Sequence, residues 1–164
     1  MPAAPVALEP MRLALVGVPN CGKTALFNRL TGSRQKVANY AGVTVERKEG
    51  SFVGPSRGQR YRLLDLPGAY SLTPTTLDEA ITRDCLLGRL AGEQPPERVV
   101  CVVDATNLRL NLRLVLELRD LGMPLLVALN MSDLARDRGF RLDRQRLEQE
   151  LGVPVVETVA IRDG

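Results

Sequence analysis

The sequence has no histidine and no tryptophan, and aromatic residues make up only 4% of its 164 residues. Without histidine, the chain cannot use a histidine general base, a histidine-containing catalytic triad or a histidine metal site. Its three cysteines are scattered along the chain and show no C-x-x-C spacing. We therefore expect reduced thiols in a cytosolic setting rather than structural disulfides.

Long hydrophobic runs and a strong charge imbalance are also missing. The longest apolar stretches, such as 99–103 and 125–129, are far shorter than the ~20 residues of a membrane-spanning helix. The net charge of +3 is too small to indicate nucleic acid or a membrane surface as a partner. Residues 1–10 lack a basic n-region, so we predict a flexible N-terminal lead-in rather than a signal peptide. We expect the chain by itself to be soluble.

What is present is the composition of one ordinary globular domain, with 45% hydrophobic and 25% charged residues. Short apolar runs alternate with helical stretches. The turn-rich loop 54–58 joins two of these runs into a predicted hairpin, and the other runs are far enough apart for helical crossovers. The pattern predicts a doubly wound α/β sheet with strands at 11–16, 45–53, 60–66, 98–104, 124–130 and 153–158.

The segment 108–118 alternates leucine with mostly polar residues, which is a strand pattern. We nevertheless predict a helix, because leucine is a good helix former and is not β-branched. Asn107 can cap its start and Gly122 can follow its end. Its polar residues then form one stripe, made of Arg109, Arg113, Glu117 and Asp120.

The most informative motif lies at 17–24, where Gly-Val-Pro-Asn-Cys-Gly-Lys-Thr matches the phosphate loop G-x-x-x-x-G-K-[ST] between a predicted strand and a predicted helix. Gly17 and Gly22 allow a tight turn whose N–H groups point at an anion. Lys23 supplies charge for the β- and γ-phosphates, and the Thr24 hydroxyl can ligate Mg²⁺. The predicted phosphate contacts are Val18, Pro19, Asn20, Cys21, Gly22, Lys23, Thr24 and Ala25.

Two further motifs follow in the order that a nucleotide site requires. Asp65-Leu-Pro-Gly68 ends a predicted strand, so Asp65 can hold Mg²⁺ through water while the Gly68 N–H approaches the γ-phosphate. Thr44 lies in a loop and can meet Mg²⁺ when the γ-phosphate is present. Taken alone, the D-x-P-G string is equally consistent with a simple Pro-Gly turn. Taken alone, Thr44 is better explained as an ordinary surface-loop threonine.

A third motif, Asn130-Met-Ser-Asp133, ends another predicted strand. Asp133 can accept hydrogen bonds from both N–H groups on the Watson–Crick edge of guanine, which adenine cannot supply. The alternative for this tetrapeptide alone is a helix cap. Together, the phosphate loop, loop threonine, D-x-P-G and N-x-x-D predict a guanine-nucleotide site at one edge of the sheet.

These motifs resemble those of the translation-factor-related GTPases over nearly all of residues 11–164. The loop 17–24 and the strings at 39–46, 65–72, 77–79 and 130–133 are similar to the cytosolic G domain of the FeoB ferrous-iron transporter family. The resemblance implies a P-loop GTPase fold with a six-stranded, mostly parallel sheet, one antiparallel strand and helices on both faces. The chain stops before the family's final helix, so we expect that helix to be missing.

The resemblance also implies site residues that spacing does not reveal. Asn20 would ligate an activating K⁺, with backbone carbonyls near Ala38 and Tyr40 completing that site. Tyr40-Ala41 and Val18 depart from the family's loops. The guanine site would comprise Asn130, Met131 in place of the usual lysine, Asp133, Val159 and Ala160.

The implied activity is slow hydrolysis of GTP to GDP and phosphate, with Lys23, Asn20, Thr44 and Gly68 as catalytic residues and Mg²⁺ and K⁺ as cofactors. Slow hydrolysis is expected because Ala69 stands where Ras-like enzymes carry a water-orienting glutamine. In this family the G domain regulates or powers ferrous-iron uptake, next to a helical regulatory domain and a membrane transport domain, on the cytoplasmic face of the bacterial inner membrane. The resemblance leaves self-association open.

Other classes stay open at this stage. An Era-like, ribosome- or RNA-associated GTPase shares the Pro-Asn of the phosphate loop, although this chain has no basic patch. A binding-only nucleotide switch would keep the fold without hydrolysis. An ATPase is disfavoured because Asp133 matches guanine.

Overall fold

The computed structural model of the protein describes residues 8–56 and 58–159. Within these residues, seven strands form one sheet in the order β2-β3-β4-β1-β5-β6-β7. All six predicted strands are present, with ends that differ from the prediction by at most two residues. The strands are β1 (Met11–Gly17), β2 (Gln35–Asn39), β3 (Glu46–Val53), β4 (Arg60–Asp65), β5 (Arg98–Asp104), β6 (Leu125–Asn130) and β7 (Val155–Thr158).

Helices connect the parallel strands and pack around the sheet, which confirms the predicted α/β P-loop GTPase fold. Only β3 runs against its neighbours: it pairs antiparallel with both β2 and β4, whereas the other pairings among the described residues are parallel. The helices are α1 (Lys23–Thr31), α2 (Leu77–Leu86), α3 (Leu108–Asp120), α4 (Ser132–Asp137) and α5 (Arg144–Leu151). None of the helices in the described ranges is long and apolar enough to span a bilayer.

The seventh strand, β2, corrects the predicted count of six. All five of its residues are exposed, so its sequence carries no hydrophobic alternation that could have revealed it. It pairs with β3 through the backbone, from Gln35 opposite Gly50 to Asn39 opposite Glu46. It is an edge strand whose side chains, the apolar Val37 and Ala38 included, are exposed to solvent.

The predicted hairpin and the predicted helix at 108–118 are both confirmed. Strands β3 and β4 pair from Lys48 opposite Asp65 to Val53 opposite Arg60. In α3, Leu114, Val115 and Leu118 are buried, which is the one-sided burial of a helix rather than the alternation of a strand. Asn107 caps α3 by accepting a hydrogen bond from the Leu110 N–H at 3.4 Å.

The centre of the sheet places the motif-bearing loops together. Strands β4, β1, β5 and β6 are adjacent and parallel, and Leu15 and Val102 within them are fully buried. Leu15 pairs with Asp65, and Asp104 pairs with Asn130. The carboxyl ends of these strands therefore meet at one edge of the sheet, where ligands bind in open α/β folds.

Candidate functional site

The phosphate loop joins β1 to α1, and its two signature glycines have no room for a side chain. A Cβ at Gly17 would lie 2.5 Å from Cys21 Sγ and 2.9 Å from the Val102 carbonyl oxygen. A Cβ at Gly22 would lie 2.2 Å from Asn130 Nδ2, and Gly22 also has a φ of +89°. The loop thus turns tightly enough for its N–H groups to surround an anion at the start of α1.

The other loop positions divide into exposed and buried ones. Pro19, Asn20 and Thr24 are exposed, and Asn20 adopts a left-handed conformation at φ +64°. Cys21 is buried, and that burial raises the pKa of its thiol. A protonated, buried thiol is a packing group rather than a nucleophile, as we expect for a small residue filling the loop.

A cavity of about 440 Å³ opens beside this loop and brings four predicted residues together. Lys23 and Asp65 form a direct ion pair inside it, with both side chains largely buried. The hydroxyl-bearing Thr24 and Thr44 reach the same cavity from α1 and from the loop before β3. The full lining is Lys23, Thr24, Thr44, Val45, Glu46, Lys48, Asp65, Leu66, Pro67 and Asp78.

The oxygen atoms in this cavity fit a hard divalent cation. Two hydroxyls, from Thr24 and Thr44, line the space together with three carboxylates, from Asp65, Glu46 and Asp78. Mg²⁺ takes oxygen ligands, keeps several waters and is held in nucleotide sites by one or two protein groups plus phosphates. The cavity thus offers oxygen ligands of the kind that Mg²⁺ takes, and the assignment of Thr24, Thr44 and Asp65 to Mg²⁺ stays a prediction.

Gly68 lies directly beside the phosphate loop. Its neighbours are anchored to β1 and the loop, because the Leu66 N–H donates to the Leu15 carbonyl at 3.1 Å and the Ala69 N–H donates to the Gly17 carbonyl at 3.0 Å. A Cβ at Gly68 would lie 3.1 Å from Pro19 Cγ. Across the residues that the structure describes, the Gly68 N–H has no hydrogen-bond acceptor, so it is a donor open to an anion.

The predicted base-binding residues meet the phosphate loop from β6. Asn130 is fully buried, and its amide donates to the Cys21 carbonyl at 3.2 Å. Its Oδ1 accepts from the Thr158 hydroxyl at 3.3 Å, a contact that the sequence analysis missed. Asn130 therefore ties three elements together, and its amide points at the protein.

The other residues predicted to bind the base follow Asn130 in the chain. Met131 adopts φ +60°, and its Cε would lie 3.3 Å from a Cβ at Gly22, so the thioether covers the phosphate loop. Asp133 is half-buried in the first turn of α4. Val159 is half-buried after β7, whereas the predicted Ala160 lies outside the described residues.

Glu79 is a site-shaping residue to which the sequence analysis gave no role. It is buried and accepts hydrogen bonds from the Tyr70 N–H at 2.9 Å and from the Thr75 N–H and hydroxyl at 3.1 and 2.9 Å. The Thr75 N–H, together with these other donors, holds the pKa of Glu79 below its ordinary value. The T-x-x-E spacing of Thr76 and Glu79 is a capping-box signal that could have revealed it.

Comparison with known proteins agrees with this geometry. A family model described as ferrous iron transport protein B matches residues 11–164. The Fe(2+) transporter FeoB of Salmonella typhimurium (strain LT2) is 47% identical over 159 residues, which cover 94% of this chain and 20% of that protein. The Fe(2+) transporter FeoB of Escherichia coli (strain K12) is 46% identical over the same length. The chain thus spans about one fifth of the curated relatives it matches.

Solved structures point to the same region of those relatives. The G domain of the T. maritima FeoB iron transporter has 42% identity and a TM-score of 0.81, covering 92% of this chain and 88% of that chain. An S. thermophilus NFeoB mutant bound to mGDP has 42% identity and a TM-score of 0.83, covering 93% of this chain and 55% of that chain. On sequence and fold together, this chain belongs to the FeoB family of ferrous iron transport proteins and corresponds to their G domain.

Proposed function

We propose that this chain binds GTP and hydrolyses it slowly to GDP and phosphate. The observation that carries the proposal is the single cavity in which Lys23, Thr24, Thr44 and Asp65 meet beside the phosphate loop. Phosphoryl transfer requires positioning and charge neutralisation more than covalent chemistry. Positive charge, loop N–H groups and oxygen ligands for a cation are the components that such a site needs.

Each residue has a definite task in this proposal. Lys23 and the N–H groups of residues 18–25 bind the β- and γ-phosphates, and the Gly68 N–H donates to the γ-phosphate as charge builds on it. Thr24 and Thr44, with Asp65 through water, would hold Mg²⁺, which neutralises phosphate charge when bound. Ala69 carries no group that could orient the attacking water, so we expect slow turnover.

We also propose that Asn20 holds an activating K⁺. Asn20 is an exposed residue of the phosphate loop in a left-handed conformation, with φ +64°. The backbone carbonyl of Tyr40 belongs to the proposed site. Two contacts fix this residue: its ring is buried, and its carbonyl accepts a hydrogen bond from the Val43 N–H at 3.2 Å. A cation at Asn20 would supply charge where other GTPases use an arginine.

For guanine, we propose that Asp133 accepts from the base while Asn130 fixes the loop behind it. Met131 would pack along the base plane, and Val159 and Ala160 would close the far side. The position of Asp133 supports this role, because it is half-buried in the first turn of α4, directly after β6.

At the level of the whole protein, we propose that residues 11–164 are a G domain that regulates or powers ferrous-iron uptake, preceded by a lead-in at 1–10. The relatives are named as Fe(2+) transporters, and this chain spans about one fifth of their length. Its partners would then be a helical regulatory domain and a membrane transport domain, on the cytoplasmic face of the inner membrane.

The first test is GTP turnover with Mg²⁺ in KCl and in NaCl at matched ionic strength. We expect clear K⁺ stimulation in the unaltered chain, and we expect Asn20→Ala to abolish the stimulation while leaving turnover in NaCl unchanged. Equal rates in the two salts would refute the K⁺ site but not the GTPase. GDP binding without turnover in either salt would indicate a binding-only switch.

The second test addresses the base. Asp133→Asn should move the preference from GTP toward XTP, because an amide at this position donates to the carbonyl that replaces the guanine amino group. Competition binding with GDP and XDP measures that preference without requiring turnover. An unchanged preference would refute the guanine assignment.

A further inference from the structure

The stretch of chain after Asp65 leaves the sheet and forms neither helix nor strand until α2 begins. We refer to residues 66–76 as the 66–76 segment. It contains Gly68, whose N–H is the open donor beside Pro19. Main-chain hydrogen bonds from the Leu66 and Ala69 N–H groups hold the first part of this segment against β1 and the phosphate loop. The part beyond Ala69 must be held by other contacts, since a loose stretch there would let Gly68 move.

Beyond Gly68, side chains take the place of regular secondary structure. Glu79 of α2 accepts from both ends of the stretch 70–75. Its middle is held differently, by Glu117 of α3. The Leu72 N–H donates to Glu117 Oε2 at 2.6 Å, and the Ser71 hydroxyl lies 2.9 and 3.0 Å from the two carboxylate oxygens.

The Ser71 hydroxyl links a further residue, Thr73, to this carboxylate. It accepts from the Thr73 N–H at 3.0 Å while donating to Glu117, so one carboxylate organises three consecutive residues. Ser71 is buried at 5% exposure, which makes the loss of its partner costly. Hydrogen bonds to an ionised acceptor are also stronger than neutral ones.

Helix α3 is a rigid base for this contact. Its buried face, with Leu114 and Leu118, packs into the core against β5 and β6, and Glu117 projects from the adjoining side. Arg113 contacts the same carboxylate from solvent at 3.3 Å and is itself largely exposed. The carboxylate is thus fixed between a well-packed helix and a segment without secondary structure of its own.

We propose that Glu117 is a positioning residue for the phosphate site, acting on Gly68 through its grip on Ser71 and Leu72. This inference rests on the proposed GTPase function. Glu117 lies on α3 and contributes nothing to the cavity lining, so its effect reaches the site only through the 66–76 segment. Loss of this grip would allow the Gly68 N–H to drift from the γ-phosphate while leaving the phosphate loop intact.

Three variants separate positioning from charge and from general stability. Glu117→Ala removes the acceptor for Ser71 and Leu72. Glu117→Gln keeps an amide oxygen that can accept both hydrogen bonds, so it should restore function. Arg113→Ala is the matched control on the same helix, because it removes the ion pair and leaves the contacts to the 66–76 segment in place.

We expect Glu117→Ala to lower kcat for GTP by about tenfold, with GDP affinity within about twofold of the unaltered chain, since only a contact to the γ-phosphate would be displaced. Glu117→Gln and Arg113→Ala should both stay within about twofold in kcat. An unchanged kcat in Glu117→Ala, or an equal fall in Glu117→Gln, would overturn the proposal.

Hydrogen exchange provides a readout that needs no hydrolysis. In Glu117→Ala the hydrogen-bonded amides of Ala69, Leu72 and Thr73 should exchange faster, while those of β5 stay protected. If the unaltered chain shows no turnover, the GTPase proposal fails, and exchange still decides this one: equal exchange at these amides in Glu117→Ala and the unaltered chain would refute it.

Discussion

At the residue scale, Gly22 has two independent reasons to be glycine, a positive φ and an immediate neighbour. In Gly22→Ala the new methyl would displace the Asn130 amide, which lies 2.2 Å from the Cβ position and holds the Cys21 carbonyl. We expect the free energy of unfolding to fall by about 2–4 kcal/mol, combining left-handed strain with overpacking. Urea denaturation measures this change, and GDP binding should weaken with it.

Gly32→Ala is the matched control for this prediction. Gly32 also has a positive φ, at +63°, but no atom lies within 4 Å of its Cβ position. Its substitution should cost only the left-handed strain of about 1 kcal/mol and leave GDP binding unchanged. Equal losses in the two variants would show that the Asn130 contact is unimportant.

Tyr40 is a buried residue that carries a polar hydroxyl. Its ring is buried, burial raises the pKa of its hydroxyl, and among the described residues Tyr40 Oη has no hydrogen-bond partner. Tyr40→Phe should therefore raise the free energy of unfolding by about 1 kcal/mol in urea denaturation. Tyr70→Phe, at an exposed position, should have no effect; a loss of stability in Tyr40→Phe would mean that the hydroxyl is bonded in solution.

At the element scale, the 66–76 segment should be sensitive to acid. Because the folded-state pKa of Glu79 is depressed, its contribution to stability is present above the ordinary value of 4.5 and is lost as the pH falls through the folded value. The midpoint of thermal unfolding should thus fall less between pH 5 and roughly pH 3 in Glu79→Gln than in the unaltered chain. Glu150→Gln, on the exposed side of α5, should keep the full decrease. Parallel pH profiles for all three proteins would refute this role of Glu79.

Elements differed in how far the sequence predicted them, and α3 and β2 show why. The sequence of α3 alternates like a strand, but leucine propensity, an asparagine cap and the need for a crossover outweighed the alternation, and the helix was predicted correctly. No such evidence existed for β2, whose residues are exposed on both faces. Its pairing with β3 is a backbone property that leaves no mark on side-chain periodicity.

At the scale of the whole molecule, the order of motifs predicted the fold and the place of the site, because parallel strands bring their carboxyl ends to one edge. The sequence could not show which side chains face inward. The guanine-binding role of Asn130 stays a prediction, and its spacing did not show that its side chain also bonds the Cys21 carbonyl and the Thr158 hydroxyl. Glu117 was predicted on the polar stripe of α3, but the stripe did not show that this carboxylate binds Ser71 and Leu72. Such contacts join residues distant in sequence, and composition or spacing does not encode them.

The parallel register has one more consequence. From β1, which ends in the phosphate loop, to β6, which ends in Asn130, there are two steps across the sheet through β5. Each step is set by main-chain hydrogen bonds at about 4.8 Å, so the two strand ends stand about 10 Å apart regardless of the side chains between them. The backbone of the sheet thus sets the distance between the phosphate loop and Asn130. Core substitutions will lower the stability of the sheet long before they change this distance.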